Sequence, residues 1–496
     1  MLFTRQQIGQ AEEAAIARGN SEEALMDKAG RGIAGVIAHF FPRPGTLVVF
    51  AGKGHNAGDA FVAAAHLLEA GWRVCVRAAY GEATLAPLAR RKWDAIQSRC
   101  TADVPASGGL VLLDGLLGVG AEGALREPIL SACQTLNSLR QERHANTVAV
   151  DLPSGVDPDT GACDPNAVVA DITCAIGLVK QGLCKPAALN RVGRLAVVSL
   201  PELEPADANE TERVLTPRLL RSALPKRRPF SMHKGQAGRV GILAGSRGLV
   251  GAARLCAEGA VRGGAGLVTL CVPADIYDVT AGSTAPEVMV RPVHNYDDVW
   301  NMDFDVLAIG PGLGQSTTRQ IQSFMLTDPR PAVLDAEALS ILAAKHTGIL
   351  AKCKAPRLLT PHFGEMRRLL ESWRPEYVSL SQREQAVLFT DHFPVTLLYK
   401  GARTIIKAPG EPVSYNSTGH PGMAAGGFGD VLTGMTAALL AQGCSPYAAA
   451  CLGSWLLGRG AELAIFNGSE SPESLCPSDV LEHLGAAFQS LRIDEY

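Results

Sequence analysis

The sequence predicts an α/β protein of two domains, each built on a parallel sheet covered by helices. The chain has 496 residues, more than one domain usually needs. Short β-branched runs alternate with alanine-rich helical patterns, first over residues 46–151 and again from residue 239. Between the two series, residues 201–228 are rich in proline and charge, which indicates a linker. We therefore expect a first domain over residues 1–212 and a second over residues 213–496.

Composition narrows the expected partners and compartment. The formal net charge is −3 and no long basic run occurs, which disfavours nucleic acid and anionic membranes as partners. No CxxC pair occurs among the twelve cysteines, so neither a zinc site nor a disulfide framework is expected. No apolar run reaches the ~18 residues that span a bilayer, and the N-terminus lacks the apolar region of a signal peptide. We expect a cytoplasmic protein.

The elements of the first half define its sheet. They are, in order, two helices within 4–41, a strand at 46–52, a helix after the turn at 52–57, a strand at 72–80, a helix at 85–98, a strand from 110, a helix at 129–140 and a strand from 146. Ligands of such sheets bind beyond the carboxyl ends of the strands, and the polar residues fall at those ends.

The first loop at such an end is Gly-Lys-Gly-His-Asn-Ala at residues 52–57. It fits the G-x-G-x-x-G/A turn that holds a nucleotide phosphate, although no clear acidic partner for a ribose follows ~20 residues later. This disfavours an ordinary NAD-dependent dehydrogenase. Asn56 and Asp59 are candidates to contact a nucleotide or an ion, and the alternative is that they are ordinary turn residues.

Two further loops carry carboxylates. Asp114 precedes a glycine-lined loop that suits a phosphate, and Asp151 ends a buried strand, where a carboxylate seldom serves structure alone. Asn56, Asp114 and Ser154 offer hard oxygen ligands on one rim of the sheet. Together they form a candidate cation site.

The second half repeats the alternation. The predicted elements are a strand at 240–244 with a glycine loop and helix, a strand at 267–272, a strand ending in the glycine turn 310–314, a strand ending at Asp335, a strand leading through a His362 loop to a helix, and two strands around 400–404. No Walker A pattern and no HRD or DFG motif occurs, which excludes P-loop ATPases and protein kinases.

The most informative stretch is NSTGHPGMAAGGFGDVLTGMTAALL, residues 416–440. A glycine-rich loop at 422–429 leads into a helix at Asp430. Flexible backbone amides and a helix N-terminus together hold anions, above all phosphate. A carboxylate at such a place can take a proton from a hydroxyl beside a phosphate. The alternative is that Asp430 only caps the helix.

Taken together, the motifs of the first half resemble the epimerase domain that repairs hydrated NADH and NADPH, a Rossmann-like fold. The similarity rests on LMDKAGRG, AGKGHNAGDAFVAA, LLDGLLGVGAEG, VAVDLPSGVDPDTG and the tail 171–200, in the family's order and spacing. It implies Asp151 as the catalytic carboxylate and a potassium site at Asn56, Asp114 and Ser154. The implied substrate-binding residues are His55, Asn56, Ala57, Gly58, Asp59, Gly118, Val119, Gly120, Ala121, Glu122, Gly123, Ala124 and Asp151.

The first nucleotide loop departs from the family pattern. Asn-Asn-Gly-Gly-Asp-Gly is usual where this chain has His55-Asn-Ala57-Gly-Asp-Ala60. If either alanine needs a positive φ, it costs about 1 kcal/mol.

The second half resembles the ribokinase-like family, an α/β/α sandwich, and most closely its ADP- or ATP-dependent NAD(P)H-hydrate dehydratase branch. The motifs are HKGQAGRVGILAGSRGLVGAA, GPGLG, VLDAEAL, LLTPHFGEM, LYKGART and NSTGHPGMAAGGFGDVLTG, from about residue 232 to 441. The resemblance implies Asp430 as catalytic, Mg²⁺ bound with ADP or ATP, and a homo-oligomer. The implied substrate-binding residues are Ala252, Gly312, His362 and Asp430, and the implied nucleotide-binding residues are Lys400, Gly401, Ala402, Arg403, Thr404 and Gly429. Phe428 stands where the family commonly has a small or hydroxyl residue, and it can narrow the site.

The two resemblances imply a metabolite repair enzyme that is both an isomerase and a lyase. One domain interconverts the S and R hydrates of NADH and NADPH, and the other dehydrates the S form with ADP or ATP through a phosphorylated intermediate. The alternative is a ribokinase-like vitamin or sugar kinase fused to a non-catalytic nucleotide-binding module, motivated by His55, Ala57 and Ala60.

Overall fold

The computed structural model describes residues 1–203, 211–314, 318–345 and 347–493. They divide into two compact units, residues 1–203 and residues 211–493. Each unit is built on a sheet that is wholly or mainly parallel, so the predicted fold class of two α/β domains is confirmed. Among the described residues, the search for a helix long and apolar enough to span a membrane finds none.

The first unit contains a six-stranded parallel sheet. The strands of the whole unit are β1 (Leu2–Phe3), β2 (Thr46–Ala51), β3 (Arg73–Ala78), β4 (Leu110–Gly115), β5 (Asn146–Val150), β6 (Ile172–Ile176), β7 (Val179–Lys180) and β8 (Arg194–Val198). Its helices are α1 (Arg5–Ala17), α2 (Glu22–Phe40), α3 (His55–Glu69), α4 (Pro87–Asp94), α5 (Ile129–Glu142) and α6 (Leu189–Val192). The sheet order is β3-β2-β4-β5-β6-β8, while β1 pairs with β7 in a separate parallel ladder. β2 and β4 are buried along their whole length, which is why both are nearly continuous apolar runs.

The second unit contains a ten-stranded sheet. Its strands are β9 (Glu212–Val214), β10 (Arg239–Leu243), β11 (Leu267–Pro273), β12 (Val288–Val293), β13 (Val306–Ile309), β14 (Ala332–Leu334), β15 (Arg357–Leu359), β16 (Thr396–Tyr399), β17 (Ile405–Lys407) and β18 (Val413–Tyr415). Its helices are α7 (Pro217–Arg221), α8 (Val250–Arg262), α9 (Tyr277–Ser283), α10 (Thr318–Thr327), α11 (Glu337–Ala344), α12 (Phe363–Glu371), α13 (Gln382–His392), α14 (Phe428–Ala441), α15 (Pro446–Glu462) and α16 (Pro477–Ser490). The order is β12-β11-β10-β13-β14-β15-β16-β17-β18-β9, and within the described ranges only the pairings of β17 are antiparallel.

The predicted linker is wrong from residue 212 onward. β9 pairs in parallel with β18, with Glu212 opposite Val413, and α7 follows with Thr216 as its N-cap. The physical reason is that this strand has only three residues, too few to show an alternation, and its partner lies some 200 residues further along the chain. Residues 204–210 of the predicted linker lie outside the described residues.

Helices α8 and α14 pack at the distance that only glycine allows. A Cβ on Gly434 would lie 1.8 Å from the carbonyl oxygen of Cys256. We predict that Gly434→Ala lowers the free energy of unfolding of the second unit by about 1–3 kcal/mol, because the two backbones must move apart. Gly485→Ala is the matched control, since nothing lies within 4 Å of a Cβ there and alanine favours a helix by about 0.5–1 kcal/mol. Denaturant unfolding of both variants checks the sign of each change; equal effects would contradict the close-packing argument.

Candidate functional sites

Asn56 links the N-terminus of α3 to the ends of two strands in the first unit. Its Nδ2 donates to the carbonyl oxygens of Leu117 at 2.7 Å and Val150 at 2.9 Å, which follow β4 and end β5. Asn56 itself lies in the first turn of α3, whose N-cap, Gly54, makes no side-chain capping bond. The amide therefore fixes the helix N-terminus to the carboxyl edge of the sheet.

Asp114 and Ser154 form a fully buried polar pair beside Asn56. The Ser154 hydroxyl donates to Asp114 Oδ1 at 2.7 Å, and its main-chain N–H donates to Oδ2 at 2.8 Å. Ser154 Oγ also accepts the N–H of Leu117 at 3.0 Å. Burial raises the pKa of Asp114 to about 6, although the two bonds from Ser154 and one from the N–H of Leu116 oppose the rise. The structure thus brings Asn56, Asp114 and Ser154 to one place around Leu117.

Asp151 follows β5 in an unusual backbone conformation. Its φ is +70°, in the left-handed region that non-glycine residues rarely occupy. The side chain is 10% exposed. Its Oδ1 accepts the N–H of Ile176 at 3.1 Å and contacts the ammonium of Lys180. A strained residue with a buried, oriented carboxylate is typical of a functional site.

Further acidic groups face this carboxylate. Asp59 is buried in α3, and its pKa is raised well above the usual value by burial and then by the charges of Asp151 and Glu12. The pKa of Glu12 is also raised, first by burial and then by Asp151. His55 is exposed, and its Nε2 lies 4.0 Å from Glu22. The site therefore concentrates carboxyl groups around one buried cation, Lys180.

The predicted second phosphate loop, residues 118–124, lies after β4, largely exposed. Arg5 holds its outer part: its guanidinium donates to the carbonyl oxygen of Ala121 at 3.0 Å and to Glu122 at 2.5 Å. The arginine lies at the start of α1, so the N-terminal segment positions this loop.

Ala57 and Ala60 carry no backbone strain. Both lie within α3, both are fully buried, and neither is among the residues of positive φ. The methyl of Ala60 lies near Gly115, where a Cβ would be 2.8 Å from it. The expected cost of about 1 kcal/mol therefore does not arise, because helical φ suits alanine.

The second unit exposes an open helix N-terminus. α14 begins at Phe428, and its N-cap, Gly427, has a φ of +100° and no side-chain capping bond. Within the described part of the chain, no acceptor contacts the main-chain N–H groups of residues 426–430. Asp430 is the third residue of the helix and caps nothing, so the capping alternative is wrong. Phe428 packs into the core, so it does not narrow the site.

A charged cluster surrounds Asp430. Asp335 follows β14 and accepts from Lys400 Nζ at 2.8 Å and from Thr433 Oγ1 at 2.8 Å. Lys400 Nζ also lies 3.9 Å from Glu365. Burial and the charge of Asp335 raise the pKa of Asp430 to about 7, with Lys400 opposing. Burial alone would lower the pKa of Lys400, but Asp335 and Glu365 raise it, so its ammonium stays charged.

The remaining predicted residues of this unit lie at neighbouring strand ends. Gly312 has a φ of +64°, and a Cβ there would lie 3.3 Å from that of Ala252. His362 is the N-cap of α12, and its Nδ1 accepts the N–H of Gly364 at 3.0 Å while its side chain is 56% exposed. Its ring is therefore fixed in place yet open to a ligand.

The segment 400–404 joins β16 to β17. Gly401 and Ala402 are exposed, whereas Arg403 is buried and donates to the carbonyl oxygen of Asn416 at 3.2 Å. The hydroxyl of Thr404 accepts the N–H of Gly401 at 3.3 Å and closes the turn. Lys400 begins this turn and the exposed main chain follows it.

Comparison with known proteins places these two sites in a family. Residues 240–477 match the family described as NAD(P)H-hydrate dehydratase, and residues 22–182 match the family described as YjeF-related protein N-terminus. A bifunctional NAD(P)H-hydrate repair enzyme of Moorella thermoacetica is 35% identical, covering 94% of this chain and 92% of its own. The chain belongs to the bifunctional NAD(P)H-hydrate repair enzyme family. The Escherichia coli K12 relative of that description is 34% identical, with 91% and 87% covered.

A solved structure is also similar to the chain. The ADP/ATP-dependent NAD(P)H-hydrate dehydratase of Bacillus subtilis, co-crystallised with ATP and Mg²⁺, is 29% identical with a TM-score of 0.49. The match covers 56% of this chain and 97% of that one. Both resemblances seen in the motifs are confirmed by the family matches.

Three charged residues at the two sites are not among those that the motifs predicted. Lys180 contacts Asp151, while Asp335 and Glu365 bind Lys400. Asp335 and Glu365 were detectable, because each lies within a few residues after a predicted strand. Lys180 had one weak sign, a lysine within the apolar run GLVKQGL.

Proposed function

We propose that this chain repairs hydrated NADH and NADPH with two activities. The first unit interconverts the S and R epimers, and the second dehydrates the S form at the expense of ADP or ATP. The observation that supports this best lies at the start of α14, where main-chain N–H groups without acceptors among the described residues lie next to the Asp430 carboxyl group. An anion site beside a proton acceptor suits phosphoryl transfer to a hydroxyl.

The chemistry of the second site follows from this arrangement. Asp430 takes the proton of the hydroxyl on the hydrated ring, and that oxygen attacks the terminal phosphorus of the nucleotide. The N–H groups of residues 427–430 stabilise the charge on the transferring phosphoryl group. The lone pair of the ring nitrogen then expels phosphate, a far better leaving group than hydroxide, and loss of a ring proton restores the dihydropyridine.

Ala252, Gly312 and His362 would hold the hydrated nucleotide, and residues 400–404 with Gly429 would hold ADP or ATP. Arg403 contributes its main chain only, because its guanidinium is buried. Among the described residues, no group of three or more aspartate, glutamate, histidine or cysteine side chains is arranged to hold a metal ion. Mg²⁺ would therefore bind together with ADP or ATP, through the phosphates, water and at most one or two carboxylates, and it would offset negative charge on the phosphates.

In the first unit, Asp151 would act as acid and base on the epimerising centre. The substrate would lie along residues 55–59 and 118–124. Ala57 and Gly58 are buried, so these two residues would contact the substrate through their main chain.

Potassium fits the place where Asn56, Asp114 and Ser154 meet. Asp114 is fully buried, and among the described residues no lysine or arginine forms an ion pair with it. A bound cation would offset the burial that raises its pKa to about 6. We predict that exchanging K⁺ for Na⁺ lowers the rate of epimer exchange and leaves dehydration unchanged. Asp114→Asn should abolish the difference between the two salts; an unchanged K⁺ preference in that variant would contradict the assignment.

The test of the whole proposal is direct. Purified protein is incubated with the mixed epimers and ADP or ATP, and recovery of the reduced-nicotinamide absorbance is followed. Complete recovery is expected, because exchange feeds the S form into dehydration. A stable phosphorylated product, detected by mass, would instead favour a vitamin or sugar kinase.

The dehydration rate should depend on pH through Asp430. Since its pKa is raised to about 7, the carboxyl is protonated below that pH and cannot accept a proton. We predict that kcat/KM for dehydration rises with pH, with a midpoint near 7, and falls about tenfold per unit at lower pH. Rates measured from pH 5.5 to 9 with one buffer series check this, and a flat profile would remove Asp430 as the base.

Three further expectations belong to the proposal. We infer domains at residues 1–212 and 213–496, a homo-oligomeric assembly and a cytoplasmic location from the sequence. Size-exclusion chromatography with light scattering tests the assembly.

A further inference from the structure

Lys180 is a buried cation to which none of these roles assigns a task. It lies on β7, and its side chain is 2% exposed while that of its partner, Asp151, is 10% exposed. Buried ion pairs add little to stability, because the loss of hydration offsets their attraction. The pair therefore calls for an explanation in the chemistry of the site.

The two oxygens of Asp151 have unequal surroundings. Oδ1 contacts the Lys180 ammonium and accepts the N–H of Ile176 at 3.1 Å. Among the described residues, no donor contacts Oδ2. One oxygen is thus held by the protein, and the other keeps its lone pairs for a ligand.

The other titratable groups around Asp151 cannot replace Lys180. Asp59 faces it from α3, Glu12 from α1 and Cys174 from β6, and all three are acids. Two other basic residues act on the same surroundings: His55 interacts with Glu12 and Glu22, and Arg194 interacts with Cys174. Lys180 is the cation that contacts the carboxylate itself.

The main chain of Lys180 is fixed by the N-terminus. β1 pairs in parallel with β7, with Phe3 opposite Lys180 and Leu2 opposite Val179. The ammonium also donates to the carbonyl oxygen of Ile176 at 3.3 Å, so two independent contacts aim the side chain at Asp151.

We propose that Lys180 is the positioning residue of the first site: its ammonium holds Oδ1 of Asp151, which leaves Oδ2 to exchange protons with the substrate. This rests on the proposed epimerase function. Asp151 is the group that touches substrate, and Lys180 acts through it.

The test compares kcat and KM for epimer exchange in Lys180→Met and Lys180→Arg, both in the full chain. In Lys180→Met, kcat should fall by about tenfold or more while KM changes little, because the carboxylate is no longer held with Oδ2 toward the substrate. Lys180→Arg keeps a charged donor to Oδ1, so it should retain most of the wild-type kcat. Lys185→Met, at a half-buried lysine in the same segment, is the matched control and should change neither kcat nor KM.

The outcomes distinguish the proposal for Lys180 from the proposed epimerase function. If wild-type protein exchanges the epimers and Lys180→Met keeps the wild-type kcat, the proposal for Lys180 is wrong while the epimerase function stands. If Lys180→Met does not fold, Lys180→Ala takes its place, and a wild-type kcat in that variant overturns the proposal equally. If wild-type protein shows no exchange, the epimerase function itself fails. Dehydration of the S form by each variant reports the integrity of the rest of the chain.

Discussion

Asp430→Asn is expected to lower kcat for dehydration by about 10²–10⁴-fold and to leave epimer exchange unchanged. Asparagine keeps the shape of the side chain but cannot accept a proton at neutral pH. The N–H groups of residues 426–430 remain open in the variant, so nucleotide binding should persist. The measurement is recovery of the reduced-nicotinamide absorbance from the pure S epimer with saturating ADP or ATP.

At alkaline pH, Asp430→Asn should also be more stable than the wild-type protein. The folded-state pKa of Asp430, about 7, lies above its usual value, so the folded state binds this proton more tightly. Stability from the protonated carboxyl is therefore present at low pH and is lost as pH rises through 7. Removing the charge should raise the free energy of unfolding at pH 8 by on the order of 1 kcal/mol.

Asp391→Asn is the control, because that carboxylate is exposed on α13. It should change neither dehydration nor stability. Full dehydration by Asp430→Asn would show that another group takes the proton, and the proposal for the second site would then be abandoned.

Asp151→Asn is expected to lower the rate of epimer exchange by about 10²–10⁴-fold without affecting dehydration of the S form. Asparagine is the informative replacement, because it tolerates the φ of +70° better than other uncharged residues. The charge is thus removed without adding backbone strain. The measurement is conversion of the pure R epimer, separated by chromatography.

A second replacement at this position separates charge from conformation. Asp151→Ala should lose exchange to the same degree and in addition unfold more easily, by about 1 kcal/mol, because alanine is strained at positive φ. Retained exchange in both variants would exclude Asp151 as the acid and base. A loss seen only in Asp151→Ala would point to strain as the cause.

The elements that position both sites follow from local pattern. β2 and β4 are buried along their whole length and therefore are nearly unbroken apolar runs, and the loops after them carry the glycines. The α14 N-terminus was predictable for the same kind of reason, since residues 422–429 combine glycines with a helix start at Asp430. Loops at the ends of parallel strands converge in space, so motifs distant in sequence could be assigned to one rim.

Other features depend on partners that no local pattern contains. The three residues of β9 form a strand because they pair with β18 at the edge of the sheet. Ala57 and Ala60 differ from the family's glycines, and only the position of α3 shows that their methyls are buried and unstrained. The sequence likewise left Asp430 with two roles, as cap or as proton acceptor, until the helix start was placed at Phe428.

By itself the sequence determined the α/β class, the two series of strands and the loops that carry Asp151 and Asp430, because periodicity and glycine spacing are local properties of a chain. The tertiary structure decided what each carboxylate meets. Lys180 reaches Asp151 from another strand, and Asp335 and Glu365 meet at Lys400 from different strand ends. Burial and charge pairing set the ionisation of such groups, and both depend on neighbours that only folding brings together.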